Sequence, residues 1–308
     1  MRILVTGGAG FIGSHLALAL AEEKHLVHVV DNFDGYYEPS LKRQNARLLM
    51  KKKILIHELD LGVDPLEGML EDVEFVIHAA AQPGNDANTP YFSYIKNNFH
   101  ATVALLESLK NKKVPMIFCS TSSVYGLNAT EDETTLPAPV SPYGVTKVAA
   151  EAAVQAAVRR GEIDACILRY FSVFGPSERP DKLFPKLFYA LMHGTEFPLY
   201  EGSEKHLRSF TYVSDIVDGT LKAMKNWEKV RGEIFNIGTD EQVTTAHAIE
   251  VAEQITGKKL KIKKLPPRAG DQLATHANID KARRTFGYAP QTKLREGLKH
   301  VYEALKTV

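Results

Sequence analysis

Cysteine is nearly absent from this chain, and so is net charge. Of 308 residues only Cys119 and Cys166 are cysteines. Both sit in short apolar runs that read as buried strands, which excludes a disulfide framework and predicts packed, reduced thiols. Thirty-eight Lys and Arg stand against 37 Asp and Glu, a formal charge of +1, so nothing in the overall electrostatics asks for nucleic acid or an anionic membrane as partner. Long hydrophobic runs are missing as well: no segment approaches the roughly 20 apolar residues of a bilayer span. The opening MRILVTGGAGFIGSH has the apolar stretch of a strand and no signal-peptide core or cleavage site, so the expected location is cytoplasmic. The 11 histidines are scattered, and His247, His276 and His300 lack ligand spacing; no metal is expected.

What is present is a repeating βα rhythm in a chain with 44% hydrophobic residues, enough for a full core. Apolar runs at 3–5, 26–30, 54–57, 75–78, 116–119 and 165–169 alternate with helical patterns such as 11–21, 95–110 and 142–159. The last of these opens with Ser141 as N-cap and Pro142 at the first helical position. Six strands spaced by helices predict an α/β chain with a doubly wound parallel sheet. After Gly175 the prolines at 176, 180, 185 and 198 break the rhythm. Residues 1–175 therefore read as a dinucleotide-binding domain, and 176–308 mainly as a smaller C-terminal α/β lobe for substrate. A stretch at about 208–240 is expected to return to the first domain.

The strongest local signal is Thr6-Gly7-Gly8-Ala9-Gly10-Phe11-Ile12-Gly13, between a strand and a helix. Glycines at 7, 10 and 13 let the backbone turn tightly and approach a pyrophosphate, which the helix N-terminus then faces. Alone, such a repeat is also an ordinary tight turn. The second strand ends in Asp31, about 20 residues on, where a carboxylate accepts the ribose hydroxyls and repels a 2′-phosphate. Asn32 follows it, not Arg or Lys, so NAD is expected over NADP.

Tyr143 and Lys147 lie four apart at the start of a helix and share a face. An ammonium near a phenol favours the phenolate, so Lys147 is expected to bring Tyr143 toward general-base duty near neutral pH. Read alone, the pair is equally a packed tyrosine beside a solvated lysine. After the fifth strand comes Cys119-Ser120-Thr121-Ser122-Ser123-Val124-Tyr125-Gly126, a run of hydroxyls at the edge where parallel sheets bind ligands. It also fits a plain serine-rich turn.

These features, in this order, resemble the extended branch of the short-chain dehydrogenase/reductase family over nearly the whole chain. The motifs are GGAGFIG, Asp31, Asp60-Leu61, His78-Ala79-Ala80-Ala81, Asn98, STSSVYG, Tyr143 with Lys147, and Arg169-Tyr170-Phe171-Ser172. The resemblance implies a Rossmann fold with NAD contacts from Gly7, Gly10, Phe11, Ile12, Gly13, Asp31 and Asn32. It adds Asp60 and Leu61 near the adenine, Ala79, Ala80 and Ala81 as a wall, Asn98, and Phe171 near the nicotinamide. Thr121 takes the catalytic hydroxyl place beside Tyr143 and Lys147. One departure is His100-Ala101-Thr102, where the family often has Asn-Gly-Thr.

Within the family, Thr121-Ser122-Ser123 differs from the Thr-Asp-Glu of 4,6-dehydratases and the Thr-Ser-Glu of decarboxylases, which leaves a UDP-sugar 4-epimerase. Asp31 to Tyr37 with Ser40-Leu41-Lys42, and Arg169 to Pro176 with Arg179-Pro180-Asp181, look most like the enzymes that interconvert UDP-glucuronate and UDP-galacturonate. Those acting on UDP-glucose and UDP-galactose are the alternative. Another nucleotide-sugar oxidoreductase, or an NAD-binding protein without activity, stands further off. Thr121, Ser122, Ser123, Ser172 and Arg179 are the expected donors to the sugar. Leu183, Pro198 and Tyr200 are expected at the nucleotide, and Arg208 and Arg268 at the diphosphate. The resemblance implies a homodimer through the helices 95–110 and 142–159; their apolar Val103, Leu106, Ala149 and Ala153 fit that contact and equally fit the sheet face of a monomer.

Overall fold

A computed structural model of the chain describes residues 1–84, 89–267 and 271–306. Its centre is a seven-stranded sheet: β1 (Arg2–Thr6), β2 (Leu26–Asp31), β3 (Leu55–Glu58), β4 (Phe75–His78), β5 (Pro115–Thr121), β6 (Asp164–Tyr170) and β7 (Ile234–Ile237). The order across the sheet is β7-β6-β5-β4-β1-β2-β3, and every pairing is parallel. The order reverses between β1 and β4, so their carboxyl ends open a crevice where ligands bind in such sheets.

Strand alternation sends side chains to two cores. Ile3, Val5, Val29 and Ile77 meet Leu16 and Leu20 of helix Phe11–Glu22 and Ile216 and Leu221 of helix Val213–Lys225. Leu4, Val30, Val76 and Phe118 meet Leu105, Leu106, Ala150 and Val154 on the opposite face. Each such side chain taken fully out of water contributes about 1.5–3 kcal/mol. A third cluster, including Phe184, Phe188, Phe197, Ala252 and Leu298, lies beyond residue 176 apart from Phe174, whose ring stands 4.9 Å from that of Phe184.

Three expectations change against this frame. The seventh strand, Ile234–Ile237, escapes the sequence reading because its apolar run is broken by Asn236, which is fully buried and accepts from Tyr125 Oη at 2.8 Å. Second, 95–110 is not one α-helix. A short helix, Tyr91–Tyr94, runs into a π-helical turn, Ile95–His100, before the α-helix Ala101–Leu109. Such turns are frequent at functional sites. Third, Leu106 is 6% exposed and belongs to the inner core, so it is unavailable to a partner subunit. Both cysteines are buried and free.

His78 ends β4 inside the protein. Its Nδ1 meets Thr6 Oγ1 at 2.7 Å, its Nε2 meets Thr102 Oγ1 at 3.0 Å, and its ring tilts on Phe118. Burial, helped by the Lys147 charge, pushes its pKa from 6.5 down to about 3. Below pH 6.5 the unfolded chain takes up a proton that the folded chain refuses, so stability falls as pH drops from that value toward 3. The slope from this residue is up to about 1.4 kcal/mol per pH unit. Other partly buried histidines add to the drift, so the check is urea unfolding of wild type against His78→Asn at several pH values. The variant, though less stable, shows the shallower acid slope.

Candidate active site

The turn after β1 is built by glycines for two different reasons. Gly7 has φ +66°, and a Cβ there would stand 2.6 Å from Ala80 Cα; a Cβ on Gly13 would stand 2.2 Å from Gly7 O. The chain itself requires both. Gly10 is different, because an added Cβ would approach only Gly7 O, at 3.2 Å. It precedes helix Phe11–Glu22, which has no side-chain cap and no acidic residue in its first turn. Phe11 leans edge-on against His15, and Ile12 packs on the core. The open helix end is what a dinucleotide phosphate requires, so the cradle fits NAD.

Asp31, at the end of β2, is 6% exposed. Its carboxylate accepts from Ala9 N at 3.2 Å and Phe33 N at 2.9 Å, and the buried Lys42 ammonium lies 3.4 Å away. Burial and the Asp31 charge push the neighbouring Tyr37 up to about 12. Asn32 Nδ2 donates to Asp60 at 3.4 Å, and Lys96 pairs with Asp60 at 2.9 Å. Burial opposes ionisation of Asp60, but Lys96, the Gly62 N–H and Asn32 more than offset it and hold the carboxyl below its usual range. Leu61 is buried behind it.

Ala79, Ala80 and Ala81 follow β4 and stay partly exposed at the crevice. Ala79 and Ala80 donate to Thr6, each at 3.2 Å. Asn98, in the π-helical turn, accepts from Gln82 N at 2.6 Å and donates to Gln82 O at 3.1 Å and Thr146 Oγ1 at 3.0 Å. Its amide is thus committed to protein groups, pinning the loop after β4 to the helix Pro142–Arg159.

That helix starts as the sequence predicts, with Ser141 Oγ accepting from Gly144 N at 3.1 Å. Tyr143, in its first turn, is partly buried, tilted 6.5 Å from the Tyr94 ring, and near enough to Thr121 at the end of β5 for that hydroxyl to favour its ionisation; Thr121 Oγ1 itself donates to Ser123 Oγ at 3.2 Å. Thr121 also accepts from Ser123 N at 3.1 Å, capping the turn Ser122–Tyr125. Lys147 is 2% exposed; its Nζ donates to Cys119 O at 2.8 Å and lies 4.0 Å over the Phe118 ring. Burial pulls its pKa down to about 8.

The expected electrostatic partnership of Lys147 and Tyr143 is therefore corrected. Burial raises the Tyr143 pKa, and the influences opposing it are the Thr121 hydroxyl and the charge of Arg179. The Lys147 ammonium is turned onto a backbone carbonyl instead. Arg179 is 5% exposed, faces the Tyr36 ring at 5.1 Å, and donates to Asp181 at 3.2 Å. Among the described residues its Nη1 has no hydrogen-bond acceptor. Burial pushes the adjacent Glu178 carboxyl up to about 8, so at neutral pH it stays protonated and leaves the guanidinium charge standing.

The remaining expected residues spread outward. Ser172 has φ +36°, a left-handed conformation uncommon for serine, and its carbonyl accepts from Thr211 N at 3.1 Å. Phe171 is fully buried against Tyr125, so its side chain is a support behind the crevice and not a wall of it. Leu183 opens helix Leu183–His193, and Pro198 and Tyr200 lie on strand Glu196–Tyr200. Arg208 donates to Leu207 O at 2.9 Å and Gln272 O at 2.5 Å, and Gln272 Nε2 donates to Gly126 O at 2.9 Å and Ser122 O at 3.3 Å. Arg208 is thereby joined to the hydroxyl-bearing turn. Arg268 lies outside the described residues.

The profile of the NAD dependent epimerase/dehydratase family matches residues 3–238. The chain belongs to that family. It is 36% identical over 322 residues to UDP-glucuronate 4-epimerase 6 of Arabidopsis thaliana, covering 97% of this chain and 70% of that one. The structure of UDP-glucuronic acid 4-epimerase from Bacillus cereus, in complex with UDP-glucuronic acid and NAD, superposes with TM-score 0.96 at 36% identity, covering 100% of this chain and 99% of that one. A UDP-glucose 4-epimerase from Thermotoga maritima superposes with TM-score 0.89 at 32% identity, covering 100% and 99%. NAD dependence is thus a property of the family, in keeping with the glycine cradle and the carboxylate at the end of β2.

Some of this epimerase/dehydratase centre was not singled out from sequence. Lys42 and Tyr36 stand in a family-like motif, yet nothing in the spacing says that one reaches Asp31 and the other Arg179. Gln82 has no motif at all. For the glycine cradle, Gly10→Ala is expected to leave the unfolding temperature within a few degrees, since the new methyl meets little protein. It should weaken NADH binding by at least about tenfold, or 1.4 kcal/mol, in a fluorescence titration. Unchanged affinity would remove the phosphate cradle from helix Phe11–Glu22.

Proposed function

We propose that the protein is an NAD-dependent 4-epimerase of UDP-glucuronate and UDP-galacturonate, with Tyr143 as base and Arg179 as the anchor of the sugar carboxylate. The observation that carries this reading is the buried Arg179 guanidinium, with an Nη1 that no described residue accepts from, whose charge, like the Thr121 hydroxyl, bears on the Tyr143 phenol. A planar cation of that kind suits a carboxylate. Ser123 and Ser172 add hydroxyl donors, and no glutamate follows Ser122 to assist loss of carbon dioxide from the 4-keto acid.

In this reading Tyr143, as phenolate, takes the proton from the sugar O4 while Thr121 hydrogen-bonds the same oxygen. The glycine turn and Asp31 would hold NAD, which would supply the acceptor and then the donor of the C4 hydride. The 4-keto sugar turns its other face before Tyr143 gives the proton back, so no net oxidation occurs. Arg208 and Arg268 take the diphosphate, and Pro198, Tyr200 and Leu183 border the nucleotide. Asp31, with Lys42 beside it, would receive the adenosine ribose, and Lys147 would reach the cofactor ribose by turning its ammonium away from the Cys119 carbonyl.

We place the enzyme in the cytoplasm as a homodimer, assembled through helix Pro142–Arg159 and the 95–109 segment. Support comes from Phe92 and Val145, which are 71% and 41% exposed on those elements or just before them, and from partly exposed Val103, Ala149 and Ala153. Among the described residues no helix is long and apolar enough to cross a membrane. Sedimentation velocity of the pure protein should give twice the chain mass; a monomer at micromolar concentration refutes the assembly.

Two variants test the chemistry. Tyr143→Phe should retain NAD and lose about 10²–10⁴ in turnover, the usual worth of a positioned acid or base. Arg179→Met should raise KM for UDP-glucuronate at least tenfold, about 1.4 kcal/mol, and leave any turnover of UDP-glucose little changed. Wild-type protein that converts UDP-glucose and not UDP-glucuronate would move the assignment to the neutral hexoses.

A further inference from the structure

A buried ionic cluster lies one residue behind the reacting hydroxyl and has no role in the chemistry above. Glu151 and Arg169 are 3% and 2% exposed. Arg169 donates to Glu151 Oε1 from Nε at 3.0 Å and to Oε2 from Nη2 at 2.7 Å. The Ser120 hydroxyl donates to Glu151 Oε1 at 2.5 Å. Nη1 of Arg169 donates to Tyr125 Oη at 2.8 Å, and that hydroxyl passes its own proton toward Asn236 Oδ1 at 2.8 Å.

Packing alone gives no reason for such a cluster. A buried ion pair surrenders the hydration of two charges, and apolar side chains of similar volume often match or exceed its stability. What the pair adds is direction. Ser120 immediately precedes Thr121 on β5 and is paired in register with Arg169 on β6. Glu151 stands one helical turn beyond Lys147 and two beyond Tyr143 on the same helix. The Ser120–Glu151 bond therefore ties the end of β5 to the helix that carries the phenol. One residue earlier, Lys147 makes a second tie to the Cys119 carbonyl. Two ties at consecutive strand residues, pointing at consecutive turns of one helix, leave the strand end little freedom to slide or rotate.

We infer that Ser120 and Glu151 are positioning residues of the 4-epimerase centre: their hydroxyl–carboxylate bond sets the approach of Thr121 to Tyr143, and Arg169 holds the carboxylate in place. The inference rests on the assignment of Tyr143 as base. Misplacement of a catalytic group by about 1 Å costs on the order of 100-fold in rate. The Thr121 hydroxyl also favours the phenolate, so moving it away should shift the ionisation that limits turnover to higher pH.

The test compares Ser120→Ala, Ser120→Thr, Ser120→Cys and Tyr143→Phe as NAD-loaded enzymes, with kcat and KM measured across pH on whichever UDP-sugar the wild type turns over. Ser120→Ala should keep its NAD and hold KM within about twofold, while kcat falls about 10- to 100-fold and the acidic limb of the kcat profile moves up in pH. Ser120→Thr, which keeps the donor, should restore both. Ser120→Cys, with a weak donor of similar size, should fall between them, and it carries the test if the alanine protein does not fold. Loss of thermal stability with wild-type kcat and pH profile overturns the inference, as does failure of threonine to rescue an impaired alanine variant. A dead Tyr143→Phe beside a wild-type-like Ser120→Ala removes the inference alone. An active Tyr143→Phe removes the base assignment with it.

Discussion

The arrangement depends on a positive charge placed where water cannot reach it. Lys147 is sealed between β5 and its own helix, over an aromatic ring, with a backbone carbonyl accepting from its ammonium. A charge taken out of water tends to discard its proton, and burial indeed draws this ammonium down to about 8. The strand and helix that enclose it cannot move apart without exposing the group. Thr121 and Tyr143 sit on those same two elements.

That geometry changes how the phenol is understood. Spacing of four residues puts Tyr143 and Lys147 on one helix face, which suggests that one ionises the other. In the folded chain the lysine turns inward to a carbonyl, and the charge bearing on Tyr143 comes from Arg179, well beyond it along the chain. Burial still dominates and keeps the phenol protonated. Arg179 and Thr121 pull the phenol toward ionisation, and burial outweighs them.

Much of this was legible in the residues. Ser141 and Pro142 mark the start of the catalytic helix because a hydroxyl cap and a ring-fixed φ are local devices. The glycine turn was legible for the same reason, since backbone crowding at Gly7 and Gly13 is decided within a few residues of chain and one neighbouring loop. Illegible were the long-range facts. Ile234–Ile237 has its apolar run broken by Asn236, and it pairs along the edge that β6 offers. Leu106 fits either a partner or the sheet by its spacing, and only packing shows that it enters the core. The Lys42–Asp31 contact joins two elements whose crossing no motif encodes.

The bridge from Arg208 through Gln272 to Ser122 couples two parts of the chain far apart in sequence. Arg208 donates to the Gln272 carbonyl while the side chain of the same glutamine grips the carbonyls of Ser122 and Gly126. A cation that leaves this backbone to meet a phosphate frees the glutamine it was holding, and the turn bearing Ser122 and Ser123 loses a brace at that moment. The strand that carries Arg208 and the turn after β5 thus share one residue as a lever.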